Sequence, residues 1–303
     1  MNKIDYKKEL NAAQFNAVQS IDGPHLVIAG AGSGKTRTLV YRVAYLVEKG
    51  VNPGEILLLT FTRKAAEEML RRATLLSDNR CLKVAGGTFH SFANMSLRKY
   101  ASSLGLSNNF SILDDSDAED TVNLVRTQLG FNKTDKRFPR KKAILDIISK
   151  SVNKSEEIGI IIYDEYPQFI EWESEIKKIN EEYSKYKRAK SLLDYDDLLV
   201  YLRELLVKNE DIRSRLSSKY KYIMVDEYQD TNKLQAHIVC LLAAEHKNLM
   251  VVGYDSQSIY GFRGANFKNI IDFPKIFPEA KIITLEENYR STQPILDMTN
   301  EVI

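Results

Sequence analysis

The 303 residues predict an α/β protein, a parallel sheet sandwiched between helices, with a mostly helical segment inserted into it. Two observations carry that prediction. Short apolar runs, each followed by turn residues and a helical pattern, recur at Leu26-Val27-Ile28-Ala29, Ile56-Leu57-Leu58-Leu59, Tyr222-Ile223-Met224-Val225 and Leu249-Met250-Val251-Val252. They are continuous and do not alternate with polar residues, as strands buried on both faces require. Between about Ser107 and Ser191 this pattern stops, and long charged helical stretches take over at Asp117 to Leu129, Lys141 to Ser151 and Tyr166 to Lys190, with no convincing buried strand.

With 44% hydrophobic and 28% charged residues, the chain has room for one large core or two modest ones, so two domains are the starting expectation. A formal net charge of +2 means that any nucleic-acid contact must come from local patches. One patch runs from Lys133 to Lys142 and holds Lys133, Lys136, Arg137, Arg140, Lys141 and Lys142. Contact with duplex phosphates and a solvated loop are both open readings of it. Cys81 and Cys240 lack the number for a disulfide framework and the spacing for zinc. No apolar run approaches the roughly 20 residues of a membrane span, and Met1 to Leu10 has no secretion-signal core, so a cytoplasmic protein without membrane contact is expected.

The segment Ala29-Gly30-Ala31-Gly32-Ser33-Gly34-Lys35-Thr36 follows an apolar run and opens a helix at Arg37 to Glu48, the context of a phosphate-binding loop. Glycines let successive N–H groups turn around phosphate oxygens, and the helix N-terminus adds partial positive charge. Lys35 would then reach the outer phosphates and Thr36 would ligate magnesium. The strict pattern has glycine where this chain has Ala29. A glycine-rich turn with a surface lysine is the alternative.

A second apolar run ends in Asp226-Glu227-Tyr228-Gln229-Asp230, which puts two acids at the carboxyl edge of the sheet, where open α/β folds keep their ligands. There Asp226 would hold magnesium and Glu227 would orient and deprotonate an attacking water, favouring hydrolysis over transfer to a substrate. A solvated loop or helix cap is the alternative for the pair taken alone. Asp230, Asp194, Asp196 and Asp197 are read as caps or solubilising charges and not as catalytic groups.

Seven collinear segments carry a resemblance. They are Leu10-Asn11-Ala12-Ala13-Gln14, the phosphate loop, Leu59-Thr60-Phe61-Thr62-Arg63-Lys64-Ala65-Ala66, Gly87-Thr88-Phe89-His90-Ser91-Phe92, Val225-Asp226-Glu227-Tyr228-Gln229-Asp230-Thr231-Asn232, Gln257-Ser258-Ile259-Tyr260-Gly261-Phe262-Arg263-Gly264-Ala265 and Glu287-Asn288-Tyr289-Arg290-Ser291-Thr292. Together they resemble the UvrD/Rep/PcrA-like helicases of superfamily 1. The resemblance implies a RecA-like P-loop NTPase fold with a helical insertion, ATP and Mg2+ as ligands, and single-stranded DNA and duplex junctions as partners. It implies motor-domain residues 1–106 and 192–285, an inserted helical subdomain at 107–191, and the start of a truncated second motor domain at 286–303. The helical pattern from Ser291 to Ile303 stops without an ending signal, as a missing C-terminal motor domain would leave it.

Implied roles follow for single residues. Gln14 would read the adenine edge, Arg37 would lie beside the nucleotide and Tyr289 would stack on the adenine. Gln257 would report the terminal phosphate to the DNA side, and Arg290 would act as an arginine finger. Phe61, Tyr260 and Phe262 would stack on bases, while Thr60, Thr62, Arg63, His90 and Arg263 would contact the DNA backbone. Core packing for Phe61 and a structural hydrogen bond for His90 are the alternatives. Two departures stand out: Tyr254-Asp255-Ser256 replaces an acidic-small-acidic run, and Phe262 replaces a tryptophan. The implied activity is an ATP-dependent DNA helicase or translocase, with 3′-to-5′ polarity inferred from the family alone. A non-motor DNA-binding module with a residual nucleotide site is the competing reading. A small-molecule kinase is a third, which leaves the segment from Gln257 to Ala265 without work.

Overall fold

The computed structural model describes residues 4–131, 138–254, 268–291 and 298. In chain order, α1 (Tyr6–Glu9) and α2 (Ala12–Gln19) lead to β1 (His25–Ala29), α3 (Lys35–Glu48), β2 (Ile56–Thr60), α4 (Arg63–Leu76), β3 (Ala85–Thr88) and α5 (Phe89–Tyr100). A short β4 (Ser111–Ile112) opens a helical body of α6 (Asp115–Gln128), α7 (Lys141–Lys154), α8 (Ile158–Glu165) and α9 (Glu173–Ala189), and β5 (Leu192–Leu193) follows it. The chain returns through α10 (Tyr195–Lys208), α11 (Glu210–Lys219), β6 (Tyr222–Val225), α12 (Lys233–Ala243), β7 (Leu249–Gly253), α13 (Lys268–Ile276) and β8 (Lys281–Leu285).

The main sheet has the order β3-β2-β6-β7-β1-β8, and its pairings are all parallel. Each strand therefore ends at the same edge. Successive side chains of the central strands enter opposite cores. Leu57, Leu59, Ile223, Val225, Leu249 and Val251 join a core with α5, α10, α11, α12 and α13. Ile56, Leu58, Met224, Met250 and Val252 join one with α2, α3 and α4. Burial on both faces explains why these strands read as unbroken apolar runs.

Two strands of the sheet escaped the sequence reading. β3 is Ala85-Gly86-Gly87-Thr88, without a large apolar side chain, because α4 lies against it: a Cβ on Gly86 would come within 2.7 Å of Leu70 Cδ1. Among the described residues β8 pairs only with β1, at the sheet edge, and Lys281 and Ile282 remain exposed. The stretch from Tyr166 to Lys190 is also not one helix; a 3-10 turn at Pro167–Trp172 precedes α9. Proline supports the start of such a turn but has no N–H for a longer helix.

The helical body has its own core, built from Val122, Val125, Ile144, Ile147, Ile162, Ile176, Ile179 and neighbours. β4 and β5 pair in parallel where the chain enters and leaves it, a pairing too short to show as a pattern in sequence. A buried charge cluster joins it to the sheet domain. Lys187 of α9 pairs with Asp194 and Asp197, and Tyr183 donates to Asp194 Oδ2 at 2.9 Å. Asp194 also caps α10 by accepting from the Asp197 N–H. Burial of ions costs several kcal/mol each and is offset here by full pairing. Cys81 and Cys240 are both free, and no helix among the described residues is long and apolar enough to cross a membrane.

Candidate nucleotide and nucleic-acid site

Because the strands run parallel, the loops after β1, β2, β3, β6, β7 and β8 share one sheet edge, the position where open α/β folds bind ligands. The phosphate loop leaves β1 at Ala29. That residue is the last of the strand, paired with Leu285 and buried in the core, so its methyl group faces packing instead of the turn. Gly30 and Ala31 begin the turn. Ser33 Oγ donates to the Gly30 carbonyl at 2.8 Å and closes it. Gly32 and Gly34 have φ of +78° and +88°, a region that L side chains rarely adopt. Gly34 N-caps α3, and a Cβ there would lie 2.6 Å from Gln14 Nε2. Lys35 and Thr36 occupy the first turn of α3.

Gln14 is buried, and its Nε2 donates to the Ser33 carbonyl at 3.1 Å. It also forms a reciprocal capping box with Asn11 at the start of α2. The far end of α2 is anchored by buried Arg42, which donates to the carbonyls of Ala17, Ser20 and Ile21. Gln14 is thus set against the phosphate loop from both ends of its helix. Asn11, which the sequence reading assigned no role, additionally donates to Tyr289 Oη at 2.8 Å. Tyr289 is exposed beside it and donates to Glu287. Arg37 reaches Glu9 at 3.1 Å and lies over the Tyr41 ring.

After β8 the chain folds back onto the phosphate loop. Asn288 Nδ2 donates to the Ala31 carbonyl at 2.8 Å, and the Tyr289 N–H donates to the Gly32 carbonyl at 2.9 Å. Asn288 Oδ1 accepts from the N–H groups of Arg290 and Ser291, which fixes the backbone carrying Arg290. A Cβ on Gly32 would meet Arg290 Cβ at 2.6 Å, so glycine there is needed for this approach as well as for its dihedral angle.

The carboxylates come from β6, separated from β1 by β7. Asp226 is buried, and its Oδ1 has no hydrogen-bond partner. Burial, then the charge of Glu227, pushes its carboxyl up to about 7. A buried carboxylate oxygen without a partner has the chemistry of a cation ligand. Glu227 has φ of +49°, unusual for a side chain of its size. Its Oε2 lies 3.2 Å from Lys35 Nζ and accepts from Gln229 Nε2 at 2.7 Å. Gln229, missed in sequence, is buried, and its Oε1 accepts from the Tyr254 N–H. It therefore bridges the ends of β6 and β7. Asp230, read as a cap, is pushed up to about 6 by burial and by Glu227, and its Oδ1 is unpartnered.

On the neighbouring strand ends, Phe61 is 37% exposed. Thr60 is buried, and its hydroxyl donates to the Thr62 carbonyl at 2.6 Å, within the turn that carries Phe61. Thr62 caps α4 by accepting from the Ala65 N–H, and Arg63 pairs with Glu67. His90 opens α5, contacts Tyr195 edge-on at 5.9 Å and is lowered by burial, which keeps the ring neutral. Gln257, Tyr260, Phe262 and Arg263 lie outside the described residues, as do Lys133, Lys136, Arg137 and the predicted final helix from 292 onward, apart from 298. In the described part of the basic run, Lys141 pairs with Asp120 at 2.6 Å and Glu119 at 3.6 Å, which lowers the charge left for duplex phosphates.

A parallel sheet with a strand-turn-helix phosphate loop after β1 and an acidic pair after β6, with β7 between the two strands, is the architecture of a RecA-like α/β motor domain. The chain belongs to the UvrD/REP helicase N-terminal domain family, whose model matches residues 10–278. It is 40% identical over 298 residues to the ATP-dependent DNA helicase PcrA of Staphylococcus aureus, covering 97% of this chain and 40% of that protein. Against the PcrA of Staphylococcus epidermidis it is 40% identical over 300 residues, covering 98% and 40%. The chain thus spans about 40% of the length of these relatives.

Proposed function

We propose that the chain is the nucleotide-binding motor part of an ATP-dependent DNA helicase or translocase that moves 3′-to-5′ on single-stranded DNA and acts at duplex junctions. The observation that carries the reading is Lys35 Nζ lying 3.2 Å from Glu227 Oε2, beside buried Asp226, whose Oδ1 has no hydrogen-bond partner. In this reading residues 1–106 and 192–285 form the motor domain, 107–191 its helical insertion, and 286–303 the entry to a second motor domain.

Lys35 exchanges Glu227 for the outer phosphates when ATP enters, while backbone N–H groups of Gly30 to Lys35 line the inner ones. Thr36 and Asp226 would hold Mg2+, whose charge offsets that of the phosphate oxygens. Freed from Lys35, Glu227 accepts a proton from the attacking water, with Gln229 holding its other contact. Gln14 and Tyr289 flank the adenine side, Arg37 lies next to them, and Arg290 and Gln257 face the terminal phosphate. Bases stack on Phe61, Tyr260 and Phe262, while Thr62, Arg63, His90 and Arg263 serve the backbone; stacking tolerates every base, as a translocase needs.

The test is thermal melting with MgATP together with phosphate release, with and without an unstructured oligonucleotide. Wild-type protein should melt several degrees higher with saturating MgATP, about 2.7 kcal/mol of stabilisation at a hundredfold excess over Kd. Its phosphate release should rise with the oligonucleotide. Lys35→Ala should lose both responses. Stabilisation without any phosphate release would favour the residual-site reading, and absence of both would remove the nucleotide function.

A further inference from the structure

We propose that Asn153 is a positioning residue that ties the helical insertion to the turn carrying Glu227, so that nucleotide state and the placement of the insertion are coupled. The inference rests on the nucleotide reading of Glu227 above.

Asn153 lies in the last turn of α7, in the insertion, yet its side chain also reaches the sheet domain. Its Oδ1 accepts from Asn232 Nδ2 at 2.8 Å, and its Nδ2 donates to Asp196 Oδ1 at 2.8 Å and to the Ser149 carbonyl at 2.9 Å. The preceding Val152 packs against the core beneath α10 and α12, and α7 ends at Ser155 with φ of +55°. Asn232 has no slack of its own. Its Oδ1 and N–H are both committed to the capping box with Gln235 at the start of α12, which leaves the Nδ2 that Asn153 receives.

Asn232 follows the 3-10 turn Tyr228–Asp230 and its C-cap, Thr231. Thr231 Oγ1 donates to the Tyr228 carbonyl at 2.6 Å, and Asn269 of α13 donates to the Thr231 carbonyl at 2.8 Å. The turn is therefore clamped by α13 on one side and by α7 on the other, and it begins at Glu227, whose positive φ makes it sensitive to displacement. A shift of α7 pulls on the cap of α12, and the intervening turn passes it to the carboxylate. The same link passes movement of Glu227, when Lys35 leaves it, back to α7. By linkage the two effects are equal in free energy.

Hydrogen–deuterium exchange on the full protein, with and without a non-hydrolysable MgATP analogue, tests this. In wild type the analogue should slow exchange at residues 30–37 and also, by about fivefold, at residues 144–153. Asn153→Ala should keep the first protection and lose the second. Asn153→Gln keeps an uncharged acceptor for Asn232 and a donor for Asp196, and should restore at least half of it. A purely structural role predicts something else: exchange at 144–153 speeds up equally with and without analogue, so that the ratio stays at the wild-type value. That result in Asn153→Ala, or absence of protection at 144–153 in wild type while 30–37 is protected, would overturn the coupling. Absence of protection at 30–37 in wild type would instead refute the nucleotide reading, and the coupling with it.

Discussion

Replacing Glu227 by glutamine is expected to lower DNA-stimulated phosphate release by about a hundredfold or more, the usual loss when a positioned base is removed. The size follows from the site. Glu227 is the acid that reaches the phosphate loop, 3.2 Å from Lys35, and it is partly open to solvent at 37%, where a water could meet it. Asp226 is buried beside it and cannot take over the same proton transfer. Glutamine keeps the shape and can still accept from Gln229, but it cannot hold a proton at neutral pH and no longer attracts Lys35. Nucleotide binding should therefore persist or tighten slightly, because Lys35 has lost a competing partner. A fluorescent-nucleotide titration beside a phosphate-release assay separates the two effects. An unchanged rate would take Glu227 out of the chemistry and favour the competing reading, a non-motor DNA-binding module.

What sequence reveals here depends on whether the chemistry is contiguous. The phosphate loop is legible because its glycines, Lys35 and Thr36 are adjacent and the strand before them is an unbroken apolar run. Asp226 and Glu227 are legible for the same reason. The groups that hold these residues in place come from afar and have ordinary identities. Gln229 bridges to Tyr254, Asn288 reaches back to Ala31, and Arg42 closes the end of α2. No spacing announces such contacts. Asn11 is intermediate, since the pair Asn11 and Gln14 carries the spacing of a capping box, but its contact with Tyr289 spans 278 positions. β3 was invisible because close packing by Leu70 selects glycine, the residue that strand propensities count against.

Asp226→Asn should make the nucleotide-free protein more stable while removing hydrolysis, a trade that only a functional carboxylate explains. The folded state holds this carboxyl at about 7, against an ordinary 3.8, mainly because burial penalises the anion. Between those values the folded protein keeps a proton that the unfolded chain has lost, so this group's contribution to stability falls as pH rises from about 4 to about 7 and is constant above. At about 1.4 kcal/mol per unit the ceiling is about 4 kcal/mol, and relaxation around the charge brings the expectation to about 2 kcal/mol. Asparagine has no charge to bury. Relative to wild type, the variant should gain about 2 kcal/mol at pH 8 without magnesium and little near pH 4, read from urea unfolding at both. Adding MgATP should reverse the order at pH 8, because wild type gains binding energy there that the variant cannot match. A variant less stable than wild type by the same amount at both pH values would mean that Asp226 is a structural hydrogen-bonding residue, and its role as cation ligand would fall.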